Sequence, residues 1–186
     1  MSINENGFFE GKEAESQHKF DKKLCQSLIS FLKKENINEI VDFGCGMGSY
    51  VKEFIDNDII AVGYDGNPNT PELTNNLCGI LDLSKTILLE NKFDWVMSLE
   101  VGEHIPKKYE DIFIENLHNN NKHGIILSWA VKGQGGHGHY NEQNNDYIKN
   151  KICNLGYIND IDNENFLRSN CSLPWFYKTI MVFKKN

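Results

Sequence analysis

The stretch Val41-Asp42-Phe43-Gly44-Cys45-Gly46-Met47-Gly48 decides the fold. Residues 40–43 are a short β-rich run that ends in three alternating glycines, and residues 50–55 behind it carry apolar side chains at helical spacing. The pattern is strand, glycine-rich turn, helix. Glycines in such a turn let the main chain bend tightly and approach a bound molecule more closely than a Cβ would allow. Upstream, Leu24, Leu28, Ile29, Phe31 and Leu32 give residues 21–35 one apolar helical face, with Asp21 as the N-cap. Downstream, strands are expected at 59–64, 78–81, 93–98 and 125–129, with a helix over 108–117 before the last of these. The tail reads as a helix near 144–153, an irregular segment over 156–172 and a final strand over 177–184. The last two strands, 125–129 and 177–184, are expected to pair antiparallel.

Strands alternating with helices imply an α/β fold: a doubly wound, mostly parallel, seven-stranded sheet of Rossmann-like type closed by an antiparallel C-terminal strand pair. At 186 residues the chain is the size of one domain, 1–186, and needs no disulfides to bury a core. Hydrophobic residues make up 40%, and no apolar run approaches the ~20 residues of a membrane span, so no membrane partner is expected. The first residues show no basic region followed by an apolar one, from which a cytoplasmic location is expected. Cys25, Cys45, Cys78, Cys153 and Cys171 are odd in number and lack CxxC spacing, so they read as reduced thiols. The net charge of −7, with basic pairs only at Lys33-Lys34, Lys107-Lys108 and Lys184-Lys185, disfavours a nucleic-acid partner. Nothing in the sequence sets the oligomeric state.

Counted from Gly44, the dehydrogenase fingerprint GxGxxG would place its third glycine at position 49, where the chain has Ser49; the match is to GxGxG. Asp65 closes the second strand 17 residues after Gly48, the spacing at which a carboxylate meets ribose hydroxyls, and Asp82-Leu83 follows the third strand, where it could meet an adenine. An acidic cavity suits a cationic sulfonium better than a pyrophosphate. From about Leu24 to Phe183 this pattern resembles the class I S-adenosylmethionine-dependent methyltransferases. The resemblance implies cofactor contacts from Asp42, Gly44, Gly46, Gly48, Asp65, Asp82, Leu83 and Glu100.

After the fourth strand comes Glu100-Val101-Gly102-Glu103-His104. If Glu100 opens a helical turn, Glu100, Glu103 and His104 share one face, and two carboxylates with an imidazole suit Mg²⁺, Mn²⁺ or Fe²⁺. The zinc-protease patterns need a second histidine where Glu100 stands, so they do not apply. The ExxEH segment is similar to that of two metal-dependent groups, the small-RNA 3′-terminal ribose 2′-O-methyltransferases and the ubiquinone-pathway catechol O-methyltransferases. In the former a later histidine completes the metal shell. Here His137 or His139 is available for that place, and His139 is preferred because Tyr140 and Asn141 follow it and can hold it rigid. The implied metal set is Glu100, Glu103, His104 and His139, and the implied catalytic set is His139, His104 and Glu103. Without a metal, His139 or His104 would act as general base, Glu100 would touch the cofactor and His104 would pack.

Gly133-Gln134-Gly135-Gly136-His137-Gly138-His139 bears a loose likeness to methyltransferases of glycan synthesis, which with the acidic charge favours a sugar or other small vicinal diol as acceptor. Ribose 2′-O-methylation of RNA and catechol methylation are the alternatives within that class. Outside it stand a non-catalytic cofactor-binding partner subunit and a nicotinamide dehydrogenase. Residues 1–20 are a candidate lid, closing over the cofactor through His18, Phe8 and Phe9, although His18 in Gln17-His18-Lys19 reads more simply as a surface histidine. Trp129, Trp175, Phe176 and Tyr177 are candidates for an acceptor pocket, with Tyr177 expected in the core.

Overall fold

The computed structural model describes residues 2–12, 16 and 18–186. Ser2–Ile3 (β1) and Phe9–Glu10 (β2) form an N-terminal hairpin. The Asp21 carboxylate then caps Lys22–Lys34 (α1) by accepting from the Leu24 amide at 3.0 Å. The motif stretch follows as Glu39–Phe43 (β3) and Ser49–Asp56 (α2), and after it come Ile60–Asp65 (β4), Thr70–Leu73 (α3), Gly79–Ile80 (β5) and Phe93–Ser98 (β6). The second half comprises Glu110–Asn119 (α4), Asn121–Ser128 (β7), Asn145–Cys153 (α5), Tyr157–Asn159 (β8), Ile161–Ser169 (α6), Phe176–Thr179 (α7) and Ile180–Lys185 (β9).

The main sheet has seven strands in the order β5-β4-β3-β6-β7-β9-β8. The pairs from β5 to β7 are parallel, and β9 runs antiparallel to both β7 and β8. Side chains alternate across it, and both faces are covered. Ile40, Met97, Ile126 and Val182 face α1, α2 and α6, whereas Val41, Val96, Leu127 and Phe183 face α4 and α5. The irregular segment expected over 156–172 is instead β8 and α6, and α5, α6 and α7 lie between β7 and β9. The expected antiparallel pairing of β7 with β9 is present; α6 packs on β9, and Asp160 caps α6 by accepting from the Asn163 amide at 3.1 Å.

β4 and β6 flank β3, so the chain winds away from β3 in both directions and leaves a crevice beyond the carboxyl ends of β3 and β6. All five cysteines are free thiols. Among the described residues no helix is long and apolar enough to cross a membrane.

Candidate functional site

The crevice holds a cavity of about 650 Å³. Seven of the eight residues assigned to the cofactor line it: Asp42, Gly44, Gly46, Asp65, Asp82, Leu83 and Glu100. The eighth, Gly48, does not. It heads α2 with φ 68°, and a Cβ there would lie 2.9 Å from Cys78 Sγ, so its glycine serves packing on the sheet. Asp65 Oδ2 accepts from the Gly46 amide at 3.0 Å and Oδ1 from the Asn67 amide at 2.9 Å, which ties the acid at the end of β4 to the glycine turn. Asp42 is 3% exposed, and burial, with the neighbouring Cys78 and Asp65, holds its carboxyl well above the usual range. Burial also acts on Asp82, but hydrogen bonds from Ser84 N (3.0 Å), Ser84 Oγ (2.6 Å) and Asn6 Nδ2 (2.8 Å) outweigh it and keep that carboxyl below its usual value.

That last bond comes from the N-terminal hairpin, which lies over the cavity. Asn67 Nδ2 donates to Gly11 O at 3.0 Å, and the Phe9 ring lies 5.1 Å from His104 and 6.1 Å from His137, stacked on the latter at 15°. His18, read from the sequence as a surface residue, is instead a lining residue. Its ring sits so close to Gly46 that a Cβ there would come within 2.5 Å of Nδ1, and burial lowers its pKa against the pull of Asp65. Gln17, in the same segment, lies outside the described residues, as do Met1 and 13–15.

The second half of the site forms beyond β6. The helical turn expected to open at Glu100 does not begin there: Glu100 has φ 53°, a strained conformation for a residue with a side chain, and the turns that follow run from Val101 to His104 and from Gly102 to Ile105. Its amide donates to Ser128 Oγ at 2.8 Å, and its Oε2 accepts from Gln134 Nε2 at 2.9 Å. Ligand atoms of Glu103, His104 and His139 lie within 4.8 Å of one another; Glu100 stands outside that group, because its backbone turns it toward Gln134. Glu103 is fully buried and neither carboxylate oxygen has a hydrogen-bond partner. Burial, then the charge of Glu100, raises its pKa well above the ordinary value. Burial and the neighbouring His139 push His104 down to about 4, so at neutral pH it is an uncharged imidazole.

The loop 132–145 brings His139 to this point. The amides of Tyr140 and Asn141 both donate to the Glu103 carbonyl at 2.9 Å, so these two residues do hold the histidine segment against the turn. His137 is more exposed and stacks on Phe9. Of the four aromatic candidates, Trp175 and Phe176 line the cavity. Trp129 does not: it is wholly buried, packs on Phe113, and donates from Nε1 to Asn141 O at 2.6 Å. Tyr177, expected in the core, is 49% exposed because it lies on the outer side of the short helix α7. Sequence reasoning missed Gln134, although it lies in the 133–139 stretch that was singled out, and Glu142, which stands three residues after His139.

This chain shares its architecture with known enzymes. It superposes on magnesium protoporphyrin IX methyltransferase from Synechocystis PCC 6803, solved with bound S-adenosylhomocysteine, with a TM-score of 0.67 and 18% identity over 87% of this chain and 81% of that one. A TehB-like SAM-dependent methyltransferase from Corynebacterium glutamicum gives 0.65 at 13% identity over 94% and 93%. The methyltransferase domain of bacterial CtHen1-C gives 0.61 at 17% over 88% and 97%. The fold is that of the class I methyltransferases. No family model matches the sequence and no curated protein sequence does either, so the likeness is one of fold.

Proposed function

We propose that this chain is an S-adenosylmethionine-dependent methyltransferase that transfers the methyl group to a hydroxyl, in a sugar or other small vicinal diol, with Mg²⁺ or Mn²⁺ at Glu103, His104 and His139. The observation that carries the reading is that one cavity holds both halves: acids at three successive strand ends, suited to a sulfonium nucleoside, and a buried carboxylate flanked by two imidazoles. In the proposed complex Asp65 takes the ribose hydroxyls, and Asp82 and Leu83 face the base. Asp42, Gly44, Gly46 and Glu100 line the remainder, with the hairpin of residues 2–10 and His18 as the lid.

The donor set, one carboxylate and two imidazoles, fits a borderline divalent cation. A carboxylate with both oxygens buried and unpartnered is costly, and a cation or a proton relieves that cost. One carboxylate and two imidazole donors suit Mn²⁺ or Fe²⁺ best, and Mg²⁺ only with water or acceptor oxygens filling the rest of its shell. Such an ion lowers the pKa of a bound hydroxyl. The acceptor oxygen attacks the methyl carbon in line, the carbon–sulfur bond breaks toward sulfur, and S-adenosylhomocysteine leaves. With the ion held by Glu103, His104 and His139, both imidazoles would be ligands and the hydroxyl proton would pass to solvent; without it, His139 or the uncharged His104 would accept the proton. The net charge of −7 favours a small acceptor over RNA.

Calorimetry tests both halves in turn. S-adenosylhomocysteine should bind in preference to NADH, and Mn²⁺ should then bind at one site that Glu103→Gln and His139→Ala each weaken. Preference for NADH would overturn the cofactor reading. Absence of Mn²⁺ binding would overturn the metal and leave His104 and His139 as general bases. Tight cofactor binding without turnover of any diol panel would leave a non-catalytic subunit.

A further inference from the structure

Beyond the three clustered residues, Glu142 makes an unusual set of contacts. Its Oε2 accepts from the Gly133 amide at 2.7 Å, and its Oε1 accepts from the Gly135 amide at 2.6 Å while lying 3.0 Å from His139 Nδ1. Two main-chain amides converge on one carboxylate because Gly133 and Gly135 adopt φ 87° and 71°, values that side-chain-bearing residues rarely reach. A carboxylate with its proton off only accepts, so the imidazole nitrogen facing it carries the hydrogen and the other nitrogen, Nε2, is left with its lone pair.

The same loop imposes the same choice on the second imidazole. His104 Nδ1 lies 3.0 Å from the Gly138 carbonyl, which can only accept, so His104 also holds its hydrogen on Nδ1 and presents Nε2. Gly136 permits this arrangement at His139, since a Cβ there would lie 2.2 Å from Nε2.

We infer that Glu142 is a positioning residue: it folds the loop 133–139 around its carboxylate and fixes His139 as the Nδ1–H tautomer, so that both histidines offer Nε2 to whatever occupies the space beside Glu103. The tautomer is a property of the unliganded chain. Its consequence for metal binding rests on the proposed function, and the two are tested separately.

The first measurement is a long-range ¹H–¹⁵N correlation spectrum of the full chain labelled with ¹⁵N-histidine, free of metal and cofactor, at about pH 8, where histidines are ordinarily neutral. A His139→Gln variant assigns the signal. Wild-type His139 should show the Nδ1–H pattern. In Glu142→Gln the amide group can donate to Nδ1, and the tautomer should reverse to Nε2–H. A role in loop packing alone would leave the tautomer unchanged. An Nε2–H pattern in the wild-type chain, or the same pattern in both chains, would overturn the inference; if the variant does not fold, the wild-type spectrum decides. Mn²⁺ titration supplies the second readout, with Glu142→Gln expected to weaken binding by about 10- to 100-fold. Wild-type chain that binds no Mn²⁺ but shows the Nδ1–H pattern would refute the metal reading and leave the positioning role intact. Equal Mn²⁺ affinity in both chains would overturn the positioning role.

Discussion

Glu110→Gln should destabilise the protein and loosen the histidine loop together. Glu110, the first residue of α4, is 1% exposed in its side chain yet charged. Its Oε1 accepts from Tyr147 Oη at 2.6 Å, Lys107 Nζ at 2.8 Å and Lys151 Nζ at 2.9 Å, and its Oε2 accepts from Lys107 Nζ at 2.7 Å and Asn141 Nδ2 at 2.9 Å. Burial alone would raise the carboxyl, but these partners lower it to about 2 from the ordinary 4.5. That fall corresponds to ~3.4 kcal/mol at about 1.36 kcal/mol per tenfold change. Lys107 and Lys151 keep 54% and 27% of their side chains in solvent. Screening of these cations trims the figure to roughly 2–3 kcal/mol. Because the folded value is the depressed one, this stability is fully present above about pH 4.5 and is lost as pH falls toward about 2. Urea unfolding followed by tryptophan fluorescence should show Glu110→Gln weaker by roughly 2–3 kcal/mol at pH 7, with a flatter stability profile between about pH 4.5 and 2. Asn141, held by Glu110, supports the Glu103 carbonyl through its amide, so the native variant should also bind Mn²⁺ less well while keeping S-adenosylhomocysteine affinity. A loss below about 0.5 kcal/mol at pH 7 would refute the reasoning, since it would mean the ionised carboxylate contributes no more than an ordinary surface group.

Asp65→Asn replaces an acceptor of two main-chain amides by a group with one acceptor, so S-adenosylhomocysteine affinity should fall about tenfold or more by calorimetry; unchanged affinity would remove Asp65 from the cofactor site. Gly136→Ala drives a methyl toward His139 Nε2 and should abolish Mn²⁺ binding with cofactor binding retained, an outcome contradicted if the metal still binds at wild-type strength. His104 has its folded pKa pushed down to about 4 from 6.5, so the unfolded chain binds more protons and stability falls as pH drops from about 6.5 to about 4. Denaturation curves of His104→Asn across that range should therefore show a shallower acid decline, and an identical slope would contradict the burial of an uncharged imidazole.

Most of the sheet was legible because its strands are short apolar runs between glycine and proline turns, and because helical spacing in α1 and α2 is strong. Residues 157–169 were not. β8 is three residues long, and α6 carries Asp162, Asn163, Glu164 and Arg168 with little apolar periodicity, so its helicity follows from the Asp160 cap and from packing on β9. The cofactor side was legible for a related reason: its acids sit at strand ends, where position along the chain translates directly into position in space. Glu100 shows the limit of that translation. Helical spacing predicted its partnership with Glu103, but one positive φ turned its carboxylate away, and a local backbone torsion leaves no trace in residue spacing. The N-terminal segment was legible only as a candidate lid: Phe8, Phe9 and His18 do line the cavity, but the hydrogen bonds that hold the hairpin there join residues 76 and 56 positions apart, pairings that residue spacing does not encode.

The loop after β7 explains why a site of this kind tolerates an otherwise unremarkable sequence. Its glycines leave no apolar side chain to anchor it, so its shape comes from carboxylates and carbonyls: Glu142 gathers Gly133, Gly135 and His139, Gly138 meets His104, and Asn141 ties the far end to Glu103, Trp129 and Glu110. A loop held by polar contacts can be fixed in one place yet remain separable from the core beneath it. Substitutions in the loop should then abolish metal binding at little cost to global stability, whereas Glu110 and Asn141, where the loop meets α4, should cost both. Loop variants that unfold the whole protein would show instead that these contacts belong to its core.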